Sequence, residues 1–345
     1  MTHEKFSNSK HDTCLYIKSE TDHRLYVFLF VDDLLIIGNN LNEIERFKHN
    51  LRNQFEMSDL GEVKNFLGLT IERDRSNKTM KIHQKDYIQK LLIKFGMDYS
   101  KPIGTPVEKN LKLNFNKSHQ TLDKPYRELI GSIIYLMIGS RPDLCFAINF
   151  FSRYQESPTV EHWNYLKRVL RYIRGSAHLG LLYSDKKCEY VLSGFVDADW
   201  VGDVDDRRSV SGYCMYACGN IVSWATKKQT TVSLSSTEAE YVALSSAVCE
   251  AISLNGVVND LGLKSDFVML FEDNQSCIHL ARNRENSKRI KHIDIKHHFI
   301  REKVDEGVIK LNYVSTSEQN ADILTKGLDK QSFEYLRKKI CVEEC

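Results

Sequence analysis

The sequence predicts a mixed α/β and α+β protein built from more than one folded part, and three observations carry that prediction. Runs of β-branched and aromatic residues interleave with stretches of 3.6-residue periodicity. The 345 residues allow for roughly two to three domains of about 150 residues each. Hydrophobic residues make up 42% and charged residues 27%, with only five prolines, which excludes collagen-like, mucin-like and long disordered chains. The longest unbroken apolar run, 25–31, has seven residues, against the ~20 of a spanning helix, so no membrane partner is expected. The first 25 residues contain no apolar block of a secretory leader, and nine scattered cysteines read as reduced thiols. An intracellular location, cytoplasmic or nuclear, is the expectation.

Element by element, residues 25–31 and 34–37, pinched around Asp32 and Asp33, read as a hairpin. A helix is expected over 41–55, a second hairpin over 66–82 turning near 74–78, and a helix over 84–95. Residues 98–125 carry Pro102, Pro106, Pro125 and Gly104, and read as a linker. The pattern is helical over 126–175, where Trp163, Leu166, Leu170 and Ile173 form an apolar face. Lys167, Arg171 and Arg174 fall on a neighbouring stripe that suits either phosphate tracking or plain solvation.

Three strands follow over 191–199, 212–218 and 221–225, with Gly219 and Asn220 as the turn between the last two. Ser235 and Glu238 form a capping-box pattern opening a helix that runs to about 258. Strands over 267–271 and 308–314 and a short helix from 317 complete the reading. The elements divide into residues 1–97, a linker and helical connection over 98–187, a compact α/β part over 188–328 and a C-terminal tail helix over 329–345.

A net charge of only +2 conceals segregation: residues 197–206 hold five aspartates and no base, whereas 282–303 hold eight bases against three acids. The informative acids sit where elements end. Asp197 closes an apolar strand and shares a face with Asp199; Glu240 lies in the first turns of the long helix; Asp273 follows the strand 267–271; Asp322 opens the last short helix. Each alone fits a turn, an N-cap or a helix dipole. Together, strand ends and helix starts of one small sheet can converge on one rim, where four carboxylates repel unless cations bind. Two divalent ions about 3.5–4 Å apart, acting on a phosphodiester, are the chemistry such a rim suits.

The blocks 195–200 (FVDADW), 208–213 (RSVSGY), 235–241 (SSTEAEY), 271–275 (FEDNQ), 291–298 (KHIDIKHH) and 319–326 (QNADILTK) resemble the ribonuclease H domain of copia-type retrotransposon Pol polyproteins. Upstream, 30–33 (FVDD) is similar to the Tyr-x-Asp-Asp block of reverse transcriptase, and 66–71 (FLGLTI), 141–143 (RPD) and 166–175 (LKRVLRYIRG) resemble the segments that follow it. The resemblance implies the C-terminal part of a Pol polyprotein: the end of a truncated palm and thumb, a connection, and a ribonuclease H-like domain with a mixed five-stranded sheet flanked by helices.

Carried over residue by residue, the resemblance implies that Asp197, Glu240, Asp273 and Asp322 bind two Mg²⁺ ions, with Mn²⁺ as an alternative, and cleave the RNA strand of an RNA–DNA hybrid. Two departures stand out. Many ribonucleases H place a histidine shortly before the last aspartate, where this chain has 315–318 (STSE). The polymerase motif also needs a third aspartate far upstream of Asp32 and Asp33, so this chain alone is not expected to polymerise and the pair reads as vestigial. Lys288, Arg289, Lys291 and Lys296 are expected to contact hybrid phosphates, with the rest of a Pol polyprotein as a further partner. The competing readings are a non-catalytic nucleic-acid-binding remnant and a partial reverse transcriptase that needs a separate N-terminal chain.

Overall fold

The computed structural model describes residues 6–20, 22–111, 113, 122–202, 206–283 and 294–344, without the side chains of 294, 295 and 297. Its contacts divide the chain into two compact units, Met1–Lys64 with Ile252–Asp266, and Asn65–Ala251 with Phe267–Cys345.

The first unit holds an antiparallel sheet in the order β1 (Ser7–Asn8), β2 (Leu15–Ser19), β3 (Arg24–Phe30), β4 (Asp33–Gly38). The expected hairpin is β3–β4, registered from Phe30 opposite Asp33 to Leu25 opposite Gly38. Its two turn residues are Val31, at φ 54°, and Asp32. Helix α1 (Leu41–Arg52) starts at Asn40, whose side chain accepts from the N–H groups of Asn42 and Glu43. It buries Phe47 against Leu25 and Val27. Asp260 closes the unit by accepting hydrogen bonds from Ser9 Oγ (2.6 Å) and the Lys10 N–H (3.1 Å).

The second unit contains two five-stranded sheets and most of the helices. The first part of its chain runs β5 (Asn65–Phe66), β6 (Leu69–Asp74), β7 (Thr79–His83), α2 (Lys85–Lys94), α3 (Tyr126–Gly139), α4 (Cys145–Ser152), α5 (Val160–Gly175) and β8 (Gly180–Ser184). Then come β9 (Leu192–Asp199), β10 (Val210–Ala217), β11 (Asn220–Lys228), α6 (Ser236–Asp260, of which 252–260 count with the first unit), β12 (Val268–Glu272), α7 (Gln275–Arg282), α8 (Asp294–Asp305), β13 (Ile309–Tyr313), α9 (Asp322–Thr325), α10 (Lys330–Lys339) and β14 (Val342–Glu343). One sheet has the order β14-β8-β7-β6-β5; the other has the order β11-β10-β9-β12-β13. In the latter β9–β11 form an antiparallel meander, while β12 runs parallel to both β9 and β13. That is the mixed five-stranded sheet expected over 188–328.

Two expectations change. The β10–β11 turn is Cys218-Gly219, both at positive φ (47° and 75°), one residue earlier than read from sequence. Asn220 instead pairs with Ala217 as the first residue of β11, and its side chain bonds the Ser184 main chain on β8. Residues 98–111 are not a loose linker: Thr105, Pro106 and Val107 are buried, and Ile103 and Leu111 pack on the main core. Proline and glycine there mark irregular backbone, which packs as firmly as a helix when apolar residues accompany it. Phe333 and Leu336 of α10 are buried in the main core.

Helix α6 is, among the described residues, long and apolar enough to cross a membrane, its best window having a mean hydropathy of 1.4. Half of that window is buried inside the protein, and a core helix passes the same test.

Candidate metal centre

The site begins at β9. Asp197 lies opposite Gly212 of β10, and only a glycine fits there: a Cβ on Gly212 would come within 2.7 Å of Thr325 Cγ2 and 3.0 Å of Leu324 Cβ. The missing side chain lets α9 settle on the sheet. Thr325 Oγ1 then donates to Asp197 Oδ2. Lys326, just past α9, places Nζ 2.8 Å from Asp322 Oδ1 and 3.8 Å from Asp197 Oδ2.

The other carboxylates arrive from neighbouring elements. The expected cap opens α6: Ser235 Oγ accepts the Glu238 N–H (3.2 Å), and Glu238 reaches back to the Leu234 N–H (2.8 Å). That fixes the first turns, in which Glu240 is buried. Asp273 follows β12, where Thr316 Oγ1 donates to its Oδ2 at 2.7 Å. The segment that departs from the usual histidine therefore contributes a hydroxyl that holds a site carboxylate. One carboxylate oxygen each of Asp197, Glu240 and Asp273 lie within 4.8 Å of one another. Asp322 joins them through Lys326 and Asp197, so the four acids picked from sequence meet at one sheet rim.

Electrostatics point the same way. Burial lifts the Glu240 carboxyl to about 11, with Glu272, Asp197 and Asp273 adding like-charge repulsion. Asp322 rises to about 7 through burial and the Asp197 charge, and burial lifts Asp197 too, against the pull of Lys326. Glu272, fully buried at the end of β12, is pushed well up by burial, though the Asn274 N–H bonded to its Oε1 (3.1 Å) favours the charged form. Glu240 is 6% exposed and its Oε2 has no hydrogen-bond partner. An orphaned buried oxygen among crowded carboxylates is what a hard divalent cation would satisfy, and an all-oxygen donor set suits Mg²⁺ or Mn²⁺.

Sequence reasoning missed three contributors, Lys326, Thr325 and Glu272; Asp199, read from sequence as sharing a face with Asp197, is raised by burial and Asp197 to about 6. Lys326 was visible as the basic member of an i,i+4 pair with Asp322.

Elsewhere the expectations fare differently. Asp32 and Asp33 are exposed at the β3–β4 turn, and among the described residues no third acid joins them in a metal-ligating group. Arg171 and Arg174 have main-chain partners. Arg171 Nε donates to the Lys101 carbonyl (2.7 Å) and Arg174 to that of Ser100, clamping 100–101 onto α5. Lys167 is half-buried on the same helix. Lys296 is exposed on α8, and Arg301 turns inward to the Leu280 carbonyl at 3.1 Å. Lys288, Arg289 and Lys291 lie outside the described residues.

Comparison with known proteins bears on this geometry. Residues 1–109 match the family described as reverse transcriptase (RNA-dependent DNA polymerase). The chain is 35% identical over 348 aligned positions, 99% of its length, to the retrovirus-related Pol polyprotein from transposon TNT 1-94 of Nicotiana tabacum. It is 31% identical to a putative transposon Ty5-1 protein of Saccharomyces cerevisiae, covering 68% of this chain and 77% of that protein. The chain belongs to the copia-type retrotransposon Pol polyproteins.

This Pol segment spans about a quarter (26%) of the length of the tobacco relative. Residues 1–109 carry the reverse-transcriptase match, and the sheet β11-β10-β9-β12-β13 is the mixed five-stranded sheet that the sequence resemblance led one to expect. Among solved structures, the foamy viral protease–reverse transcriptase in complex with dsDNA aligns at TM-score 0.48 and 14% identity, over 84% of this chain and 55% of that one. The N-terminal RNase H domain of a Mycobacterium tuberculosis protein aligns at TM-score 0.30 and 10% identity, over 43% and 96%.

Proposed function

We propose that the chain hydrolyses the RNA strand of RNA–DNA hybrids at the rim formed by Asp197, Glu240, Asp273 and Asp322, leaving a 3′-hydroxyl and a 5′-phosphate. The observation that carries this reading is the convergence of carboxylate oxygens of Asp197, Glu240 and Asp273 within 4.8 Å, at a site where Glu240 Oε2 has no hydrogen-bond partner. Bound divalent cations would supply activation of water and charge stabilisation on the scissile phosphate.

The chain's own residues do the rest. Asp197, near the C-terminal end of β9, would hold a cation, and the Thr325 hydroxyl fixes one of its oxygens. Thr316 holds Asp273 in place. Glu240 and Asp322 would add further carboxylate oxygens to the rim. Exposed basic residues such as Lys296 would take phosphates without reading bases, since a hybrid is recognised by shape, phosphate and 2′-hydroxyl contacts.

The test is incubation of the chain with an end-labelled hybrid and Mg²⁺ beside its Asp197→Asn variant. RNA-strand fragments from the wild type, none from single- or double-stranded DNA, and loss of roughly 10³-fold or more in the variant are expected. Equal fragment yields from the two proteins would refute the assignment.

A further inference from the structure

We propose that Lys326 is a tethered cation of the metal centre: its ammonium occupies the Asp197–Asp322 side of the rim, so the free chain takes one divalent ion, and a second enters only when Lys326 is drawn away. The inference rests on the proposed metal centre and adds the order in which it fills.

Three observations carry it. The carboxylates are not equivalent: Asp197, Glu240 and Asp273 approach one another within 4.8 Å, while Asp322 is engaged by Lys326 Nζ at 2.8 Å. The same nitrogen lies 3.8 Å from Asp197 Oδ2, between the two acids that would share a second ion. An ammonium and a hard dication compete for the same carboxylate oxygens, and they cannot both sit in ligating contact.

Lys326 is also built to stay and to leave. Its backbone is anchored, N–H to the Asp322 carbonyl at 3.2 Å, while φ −142° and ψ 157° take the chain out of helix. Its side chain is 32% exposed, against 3% and 10% for Asp197 and Asp322, so the stem has an open direction along which to swing. An incoming phosphate supplies the competing anion.

Calorimetric Mg²⁺ titration, supported by Mn²⁺ titration followed by electron paramagnetic resonance, reads the count directly, on the full chain without nucleic acid. Wild type is expected to bind one ion, and Lys326→Met two, the second at least about tenfold tighter than any second binding to wild type. Lys326→Arg keeps a cation in place and should stay at one; Lys326→Gln, checked for fold by circular dichroism, should follow Lys326→Met. Two ions on the wild type, or one on both neutral variants, overturns the inference. Hybrid cleavage is scored separately: a chain that cleaves but shows no change of count refutes the role of Lys326 alone, and a chain that shows the change without cleaving refutes the nuclease reading alone.

Discussion

At the scale of single residues, the acids were readable because each stands where an apolar pattern stops. Asp197 closes a strand, Asp273 follows one, and Glu240 and Asp322 sit in opening turns, so burial and convergence followed from topology. Their neighbours were not readable. Lys326 looks like any surface i,i+4 base until α9 is laid on Gly212, and the acceptors of Arg171 and Arg174 are main-chain carbonyls, which leave no mark in a sequence. The block 141–143 shows what such a pair can mean instead. Arg141 and Asp143 are both fully buried and joined by two hydrogen bonds, 2.9 Å and 2.7 Å, while Arg141 also reaches the Ser176 carbonyl and hydroxyl. Tyr172 donates to the same aspartate at 2.5 Å. Asp143→Ala would strand a buried guanidinium and should destabilise the protein by about 3–5 kcal/mol, whereas Tyr172→Phe should cost roughly 1 kcal/mol. Urea melts of the two variants check the ranking, and similar midpoints would show that the ion pair is not what holds these elements.

At the scale of elements, strongly periodic segments declared themselves. Both hairpins, the long helix and the parallel strands lie within a few residues of their expected bounds, because alternation and the 3.6 period leave a trace over many positions. The two-residue strands β1, β5 and β14 are too short for any period, and β8 escaped because it pairs with strands distant in sequence, β7 and β14. The most consequential contact between elements is α9 on β10, and it depends on a side chain that is absent. Gly212→Ala places a methyl group 2.7 Å from Thr325 Cγ2, so α9 must lift, carrying Thr325, Asp322 and Lys326 away from Asp197. Overpacking of this kind costs about 1–3 kcal/mol. The expected result is a chain with an unchanged circular dichroism spectrum, a lower denaturation midpoint and weakened Mg²⁺ binding; wild-type Mg²⁺ affinity in this variant would show that α9 does not position the site.

At the scale of the whole molecule, the crowded carboxylates tie stability to pH and to cations. The chain forms two compact units, one of which takes in 252–266 from far along the sequence. In the larger unit, Asp322 titrates near 7 and Glu240 near 11 when folded, against roughly 4 for unfolded carboxyls. Between those values the folded chain keeps protons that the unfolded chain has released, so stability falls as pH rises from about 4 through 7 and beyond. A bound divalent cation replaces those protons and favours the ionised carboxylates. In EDTA the melting temperature should therefore decline from pH 5.5 to pH 8.5, and Mg²⁺ should flatten that decline, raising the melting temperature more at pH 8.5 than at pH 5.5. At a free concentration ten times the dissociation constant the gain is about 1.4 kcal/mol. Asp197→Asn should lose most of the Mg²⁺ effect at pH 8.5. Scanning calorimetry at the two pH values, with and without Mg²⁺, measures all of this; a melting temperature at pH 8.5 that ignores Mg²⁺ would mean that the four acids meet without serving a cation.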